Sequence, residues 1–263
     1  MASFFNEIFT TLTTPPGSLA YHIVIAFSVA GALPLAVANL YTSGFPQSRR
    51  MLLGLLLLLA GQFLLFLSVG FSWQDVIISP LLLPILDRAV AALSLILIIW
   101  LWAFPEPLRM ADAATFLLAL LVLIISAFSA LFWINQGSIT SYNGSLPDLL
   151  WGAVNLLLIL LGGFLLFMRR PNSMGVALAM LLLLFLGHLT HLLAPLAGSH
   201  LPGAVRLAQV AAYPLLLTLP QRFQAPVISP GPVDSSPAAQ NSVEVASGLF
   251  QSFLDLASVA PEG

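Results

Sequence analysis

Residues 80–102 read PLLLPILDRAVAALSLILIIWLW. The stretch is long and apolar enough to cross a bilayer as a helix, which takes about 20 such residues. Yet Asp87 and Arg88 stand side by side well inside it. A charged side chain at a helix centre costs on the order of 3 kcal/mol on insertion scales, so it faces other helices or water rather than lipid. Adjacent residues on a helix point about 100° apart, so these two are not expected to satisfy each other. Each is expected to find its partner on a different helix, and the remainder of the chain is read as the structure that supplies those partners.

The composition sets the class. Of 263 residues, 59% are apolar and 7% charged, against roughly 25% charged in soluble domains. This is the composition of an all-α integral membrane protein. There is no cysteine, which excludes disulfides and thiolate chemistry. There is no lysine either, which removes a Schiff-base lysine, a P-loop lysine and a lysine base. A net charge of −2 gives no electrostatic case for a nucleic-acid partner. No motif calls for a cofactor.

Seven apolar segments are candidates for spans: 19–41, 51–71, 80–104, 113–134, 149–168, 174–196 and 201–219. The seventh is the weakest, being short and holding Arg206 and Pro214. Ahead of them, Phe4, Phe5, Ile8, Phe9 and Leu12 share one helical face. Residues 1–18 are therefore expected to form an outer interfacial segment, with a disordered leader as the alternative. No basic residue precedes the first apolar run, so a secretory signal is not expected. Arg49, Arg50, Arg109, Arg169, Arg170 and Arg222 all fall on one side of a seven-span layout. The excess of arginine marks the cytoplasmic side, giving an N-out, C-in seven-helix bundle over residues 19–222.

With that topology, polar residues collect toward the outer side. Asp87 and Arg88 lie roughly 10–12 Å below the outer end of the third span, and Arg206 about 7 Å down the seventh. His188 and His191 are spaced i,i+3 on one face of the sixth. His22, Gln62, Ser129, Asn155 and Gln209 are expected at comparable depth on other spans. The candidate network is thus His22, Gln62, Asp87, Arg88, Asn155, His188, His191, Arg206 and Gln209, with Asp87 the counter-ion of Arg206, Arg88 or a protonated histidine. The residues leave three readings open. They form fold-specifying ion pairs, with Arg206 snorkelling; or a ligand-responsive pocket; or a metal or haem site on His188, His191, His22 or Asp87. Trp100, Trp102 and Trp133, near span ends, read as an aromatic belt.

Residues 223–240 are rich in Pro, Ser, Gly and Ala and read as a linker. Asn241-Ser242-Val243-Glu244 has the form of a capping box. Behind it Val245, Leu249, Phe250, Phe253, Leu256 and Ala257 repeat at helical spacing. An amphipathic helix over 241–263 is expected, and it cannot bury its stripe alone. Its own copy, a following domain or the membrane surface would cover it.

Several of these stretches together resemble a known family. Leu83-Pro84-Ile85-Leu86-Asp87-Arg88-Ala89 runs into Trp100-Leu101-Trp102-Ala103-Phe104-Pro105. The exit is Tyr213-Pro214-Leu215-Leu216-Leu217, then Pro220, the Pro-rich segment and Leu249-Phe250-Gln251-Ser252-Phe253-Leu254-Asp255-Leu256-Ala257. This resembles the N-terminal seven-helix membrane region of bacterial multidomain sensor proteins, which precedes GAF or PAS domains and then a histidine kinase or diguanylate cyclase. The chain departs from the family in lacking a phosphoacceptor histidine in the cytoplasmic part and any nucleotide-binding glycine box, so the family's catalysis is not carried over.

The resemblance implies a non-catalytic input module in the bacterial cytoplasmic membrane, responding to an unknown small ligand and pairing through 241–260. A small permease is the alternative, and would need a polar path through both leaflets. A membrane-embedded metal-dependent hydrolase is a third reading, needing three ligands among His22, Asp87, His188, His191 and His200. A reporter fused after Arg222 is expected to behave as cytoplasmic, and an outer-side signal would contradict the topology.

Overall fold

Leucine- and alanine-rich runs, punctuated by Gly, Pro and Ser, fold as helices wherever the computed structural model describes the chain, which is residues 2–74, 79–135, 141–196 and 198–223. The elements are α1 (Ala2–Thr13), α2 (Gly17–Ser43), α3 (Pro46–Trp73), α4 (Ser79–Ala103), α5 (Arg109–Asn135), α6 (Leu146–Arg169), α7 (Met174–Leu193) and α8 (Gly203–Ala212). Two 3-10 turns, Tyr213–Thr218 and Pro220–Phe223, follow. No strand occurs among the described residues. The linker and amphipathic helix expected over 223–263 lie outside the described residues, apart from Phe223.

Local chemistry fixes the breaks. Gly44 closes α2 at φ 60, where a Cβ would be strained, and Pro46 opens α3 at its first turn. Ser145 caps α6, with its side chain accepting from the Asp148 N–H. α2 to α7 are six helices long and apolar enough to cross a membrane. This is the architecture of a multi-pass membrane protein. The expected seventh span takes a different form. α8 ends after 10 residues. Pro214 has no N–H for the next i→i−4 bond, and the chain continues as a 3-10 turn from Tyr213 to Thr218.

α4 is the most enclosed helix. Of its apolar stretch 78% is buried, against 11% for α5. α4 packs on α3, α5 and α6; α2 packs on α3, α6 on α7, α7 on α8. α8 and the first 3-10 turn return to α2 and close the ring. α5 stands outside it, and its Phe116, Leu117, Phe128 and Leu131 are exposed as lipid-facing residues would be. α1 is a helix packed on α8 and α2, not a disordered leader.

The tryptophans correct the belt expectation. Trp102 and Trp133 are each 1% exposed. Trp133 meets the Tyr142 ring edge-on at 4.9 Å. Trp100 lies under the Arg50 guanidinium, 4.3 Å from its ring centre, and its Nε1–H donates to Asp112 at 2.8 Å. Position near a span end did not decide their environment: α4 is enclosed where it carries Trp100 and Trp102, and Trp133 on α5 packs against Tyr142. Arg50 also pairs with Asp112 at 2.7 Å and donates to the Glu106 carbonyl. These contacts gather the starts of α3 and α5 and the end of α4 at the end opposite Asp87.

Close helix approach is set by glycine at α7–α8. A Cβ on Gly187 would run into Ala208 and stand 3.0 Å from the Ala204 carbonyl, which is α8 backbone. Gly163 has open space around it. Gly187→Ala is expected to lower stability by about 1–3 kcal/mol, the usual cost of overpacking, while Gly163→Ala leaves the melting temperature in detergent unchanged. Equal effects would contradict the α7–α8 packing.

Candidate functional site

α4 places Asp87 and Arg88 near its start, both buried. Asp87 Oδ1 accepts from Arg206 Nη2 at 2.8 Å, so its expected partner on α8 is present. Asp87 Oδ2 accepts from Arg88 Nη1 at 3.2 Å. That corrects the expectation that the neighbours cannot meet. The 100° offset governs Cβ directions, whereas the long arginine stem bends back and its fork presents several N–H groups to different partners. The other side of the fork meets Asp148 on α6, with Nε and Nη2 donating to Oδ1 at 2.9 and 2.6 Å. Asp148 Oδ2 accepts from the Gly144 N–H at 2.9 Å and lies 3.0 Å from His191 Nε2 on α7.

The tautomer of His191 follows from counting donors. Arg88 Nη2 has two N–H groups, and its short contacts to Asp148 and to Asn143 Oδ1, at 2.6 and 2.8 Å, use both. The 3.4 Å approach to His191 Nε2 is then left without a proton from Arg88. His191 Nε2 therefore carries its own hydrogen and donates to Asp148. The result is a chain of alternating partners, Arg206–Asp87–Arg88–Asp148–His191, tying α8, α4, α6 and α7. Two guanidiniums face two carboxylates, so their four charges cancel. His191 thus serves Asp148, not Asp87 as one expectation had it.

Surrounding residues complete the set. Arg206 is 0% exposed, so it points inward and does not snorkel. Its Nη1 donates to the Leu12 carbonyl at the end of α1, and its Cζ lies 4.6 Å from the Tyr21 ring centre. Tyr21 donates to Gln209 Oε1 at 2.6 Å. Asn143 Nδ2 donates to the Leu201 carbonyl at 2.9 Å, fastening the α5–α6 loop to the approach to α8. Tyr142 stacks 5.5 Å from Arg88, and burial pushes its hydroxyl up to about 12. His200 Nδ1 accepts the Tyr142 N–H at 3.2 Å, and burial lowers its pKa. With Nδ1 accepting, the ring hydrogen sits on Nε2. Above the chain opens a cavity of about 350 Å³ lined by Thr10, Thr13, Thr14, Ser199 and His200, with Leu83 at its floor one turn before Asp87.

A second polar layer lies deeper. Ser94, Asn155 and Tyr213 each follow Asp87, Asp148 and Arg206 by seven residues, two helical turns or roughly 10 Å. Gln62 Nε2 reaches Ser94 and Tyr213 at 3.3 and 3.4 Å. Gln62 thus joins this layer and not the outer chain, in contrast to the single outer network expected. Among the described residues, neither amide atom of Asn155, 0% exposed, has a partner. His22 and His188 are also buried, with both ring nitrogens of His22 and Nε2 of His188 unpaired. Among the described residues no three His, Asp or Glu side chains converge as metal ligands.

Sequence reasoning missed Asp148, Asn143 and the tyrosines. Ser145-Leu146-Pro147-Asp148 carries a signal, since Ser-x-x-acid ahead of an apolar run is a capping box. The carboxylate accepts from the Gly144 N–H, one residue before the cap, rather than from Ser145 N as in a standard box, and its other oxygen meets Arg88. No protein-family model, curated protein or solved structure matches the chain.

Asp148→Ala leaves Arg88 short of a counter-ion and is expected to cost about 3–5 kcal/mol. Asn155→Leu removes an unpaired buried amide and is expected to be neutral or stabilising, by up to about 3 kcal/mol. Equal losses in chemical unfolding would contradict the assignment of one as paired and the other as unpaired.

Proposed function

We propose that the chain is the membrane-embedded, non-catalytic input module of a bacterial signal-transduction protein in the cytoplasmic membrane. The observation that carries this reading is where the charge chain sits. It begins on α8, which leads through the 3-10 turns toward the C-terminal segment, and it runs through α4 and α6 to α7. It lies close to a cavity whose lining mixes Thr10, Thr13, Thr14, Ser199 and His200 with Leu83, Leu196 and Leu201. A ligand that draws on the Asn143–Leu201 bond would pull on Asn143, which accepts from Arg88, and Arg88 shares Asp87 with Arg206. Charge partners of this kind have discrete arrangements, which is what a two-state element needs.

The proposed topology has seven crossings, N-out and C-in. α8 with its 3-10 extension covers roughly 27 Å, close to a hydrocarbon core of about 30 Å. Arg50, Arg109 and Arg169 stand at helix ends remote from that cavity, in keeping with a cytoplasmic face there. The permease reading is less well supported. Below Gln62, Ser94 and Tyr213 the core is Leu55, Leu58, Ile98, Leu216 and Leu219, each at most 1% exposed.

The stripe of Val245, Leu249, Phe250, Phe253, Leu256 and Ala257 would pair with its own copy or seat a GAF, PAS or kinase domain. The chain has no native cysteine, so Phe253→Cys gives a single reporter. In membranes it should form disulfide dimers, and Asp87→Asn should change their rate of formation by about fivefold or more, a typical coupling between sites. Absence of dimers, or a rate indifferent to Asp87, would overturn the reading.

A further inference from the structure

The geometry points to a binding site for an anionic phospholipid in the furrow between α5 and α6, at the arginine-bearing end. α5 and α6 both rest on α4 but barely touch each other. The gap leaves a cavity of about 460 Å³. Its floor is Ile96, Ile99 and Trp100 of α4 and its walls include Ala114 and Leu118 of α5 and Leu161 and Leu165 of α6. The lining is almost wholly apolar, and Ala114, Met110 and Leu161 within it are exposed on the outside of the bundle. An acyl chain fits such a furrow, and a polar solute does not.

The end of the furrow supplies the headgroup chemistry. Leu158, Leu161, Leu165 and Arg169 follow one another at three- and four-residue steps, so Arg169 ends the stripe that forms the α6 wall. Its Cζ is held 5.0 Å from the ring centre of Phe104, itself a lining residue. Arg169 is exposed and no carboxylate among the described residues pairs with it. Asp112, at the start of α5, is taken by Arg50 and Trp100. An unpaired guanidinium fixed at the mouth of an apolar furrow fits a phosphate diester with its chain in the furrow, because the fork donates two parallel bonds to phosphate oxygens. A zwitterionic lipid presents the same phosphate beside a cation that Arg169 would repel, so a net-negative headgroup is favoured. Arg170, by contrast, turns away in a left-handed conformation at φ 45 and lies over Phe167, which does not line the furrow.

The test uses the full chain in a mild detergent, titrated with phosphatidylglycerol or phosphatidylcholine and read by native mass spectrometry. Phosphatidylglycerol is expected to bind the first site about fivefold tighter, the preference one arginine gives at a membrane surface. Arg169→Gln should abolish the preference, and Arg170→Gln should keep it. Ala114→Phe, at an exposed position inside the furrow, should weaken both lipids. Glycerol phosphate without chains should not displace the bound lipid. Equal affinity for the two lipids, equal effects of the two arginine substitutions, or displacement by glycerol phosphate would each overturn the proposal.

Discussion

Arg88 is one guanidinium between two carboxylates, deep in a helix bundle, and the arrangement of the other helices follows from satisfying it. A charge buried without a partner is far costlier than a paired one. Asp87 alone could not balance it, since Asp87 is shared with Arg206. Asp148 supplies the second negative charge, and it in turn takes its last bond from His191. Each link therefore needs the next, and the links stand on four different helices. A bundle held only by apolar packing could slide or rotate, because lipid competes for the same contacts. The alternating chain admits few arrangements.

The consequence for α8 is specific. It is the shortest of the bundle helices and the one nearest the C-terminal segment, and it has little length with which to anchor itself. Arg206 gives it three attachments at once: Asp87 on α4, the Leu12 carbonyl on α1 and the face of Tyr21 on α2. Gly187 lets α7 come close on the remaining side. The anchor of α8 is thus electrostatic at Arg206, with the Tyr21–Gln209 bond one turn further on and the close approach of α7 at Gly187 beside it. A perturbation at Arg206 acts on the electrostatic part. At the opposite end, the Arg50–Asp112–Trp100 cluster fixes α3, α4 and α5 independently.

Much of this was legible in the chain. Hydropathy and length located the six long helices within a few residues, because an unbroken apolar run of about 20 residues has few other readings. For Asp87 the sequence left Arg206, Arg88 and a protonated histidine open as partners, and the carboxylate meets the first two. Asp148 was not legible. It sits at a helix start, where an acid is routinely read as a cap, and its second role depends on which way α6 faces. Trp100 and Trp102 were misplaced for a related reason: their distance from a span end is fixed by sequence, but whether another helix covers them is not. Gln62 was assigned too shallow a level because the depth of a residue on a tilted helix depends on the tilt, which packing sets. The furrow between α5 and α6 has no sequence signature beyond Arg169 completing a leucine stripe.

The central claim is that the Arg206–Asp87 contact is an energetic tie and not a coincidence of two polar residues in one region. A double-mutant cycle on Asp87→Ala and Arg206→Ala, measured by reversible unfolding of the full chain in bicelles, addresses it directly. The account predicts that each single change is severe and that the double change recovers about 2 kcal/mol or more, within the range found for residues in one charge network. Additivity to within about 0.5 kcal/mol, the behaviour of independent sites, would contradict it.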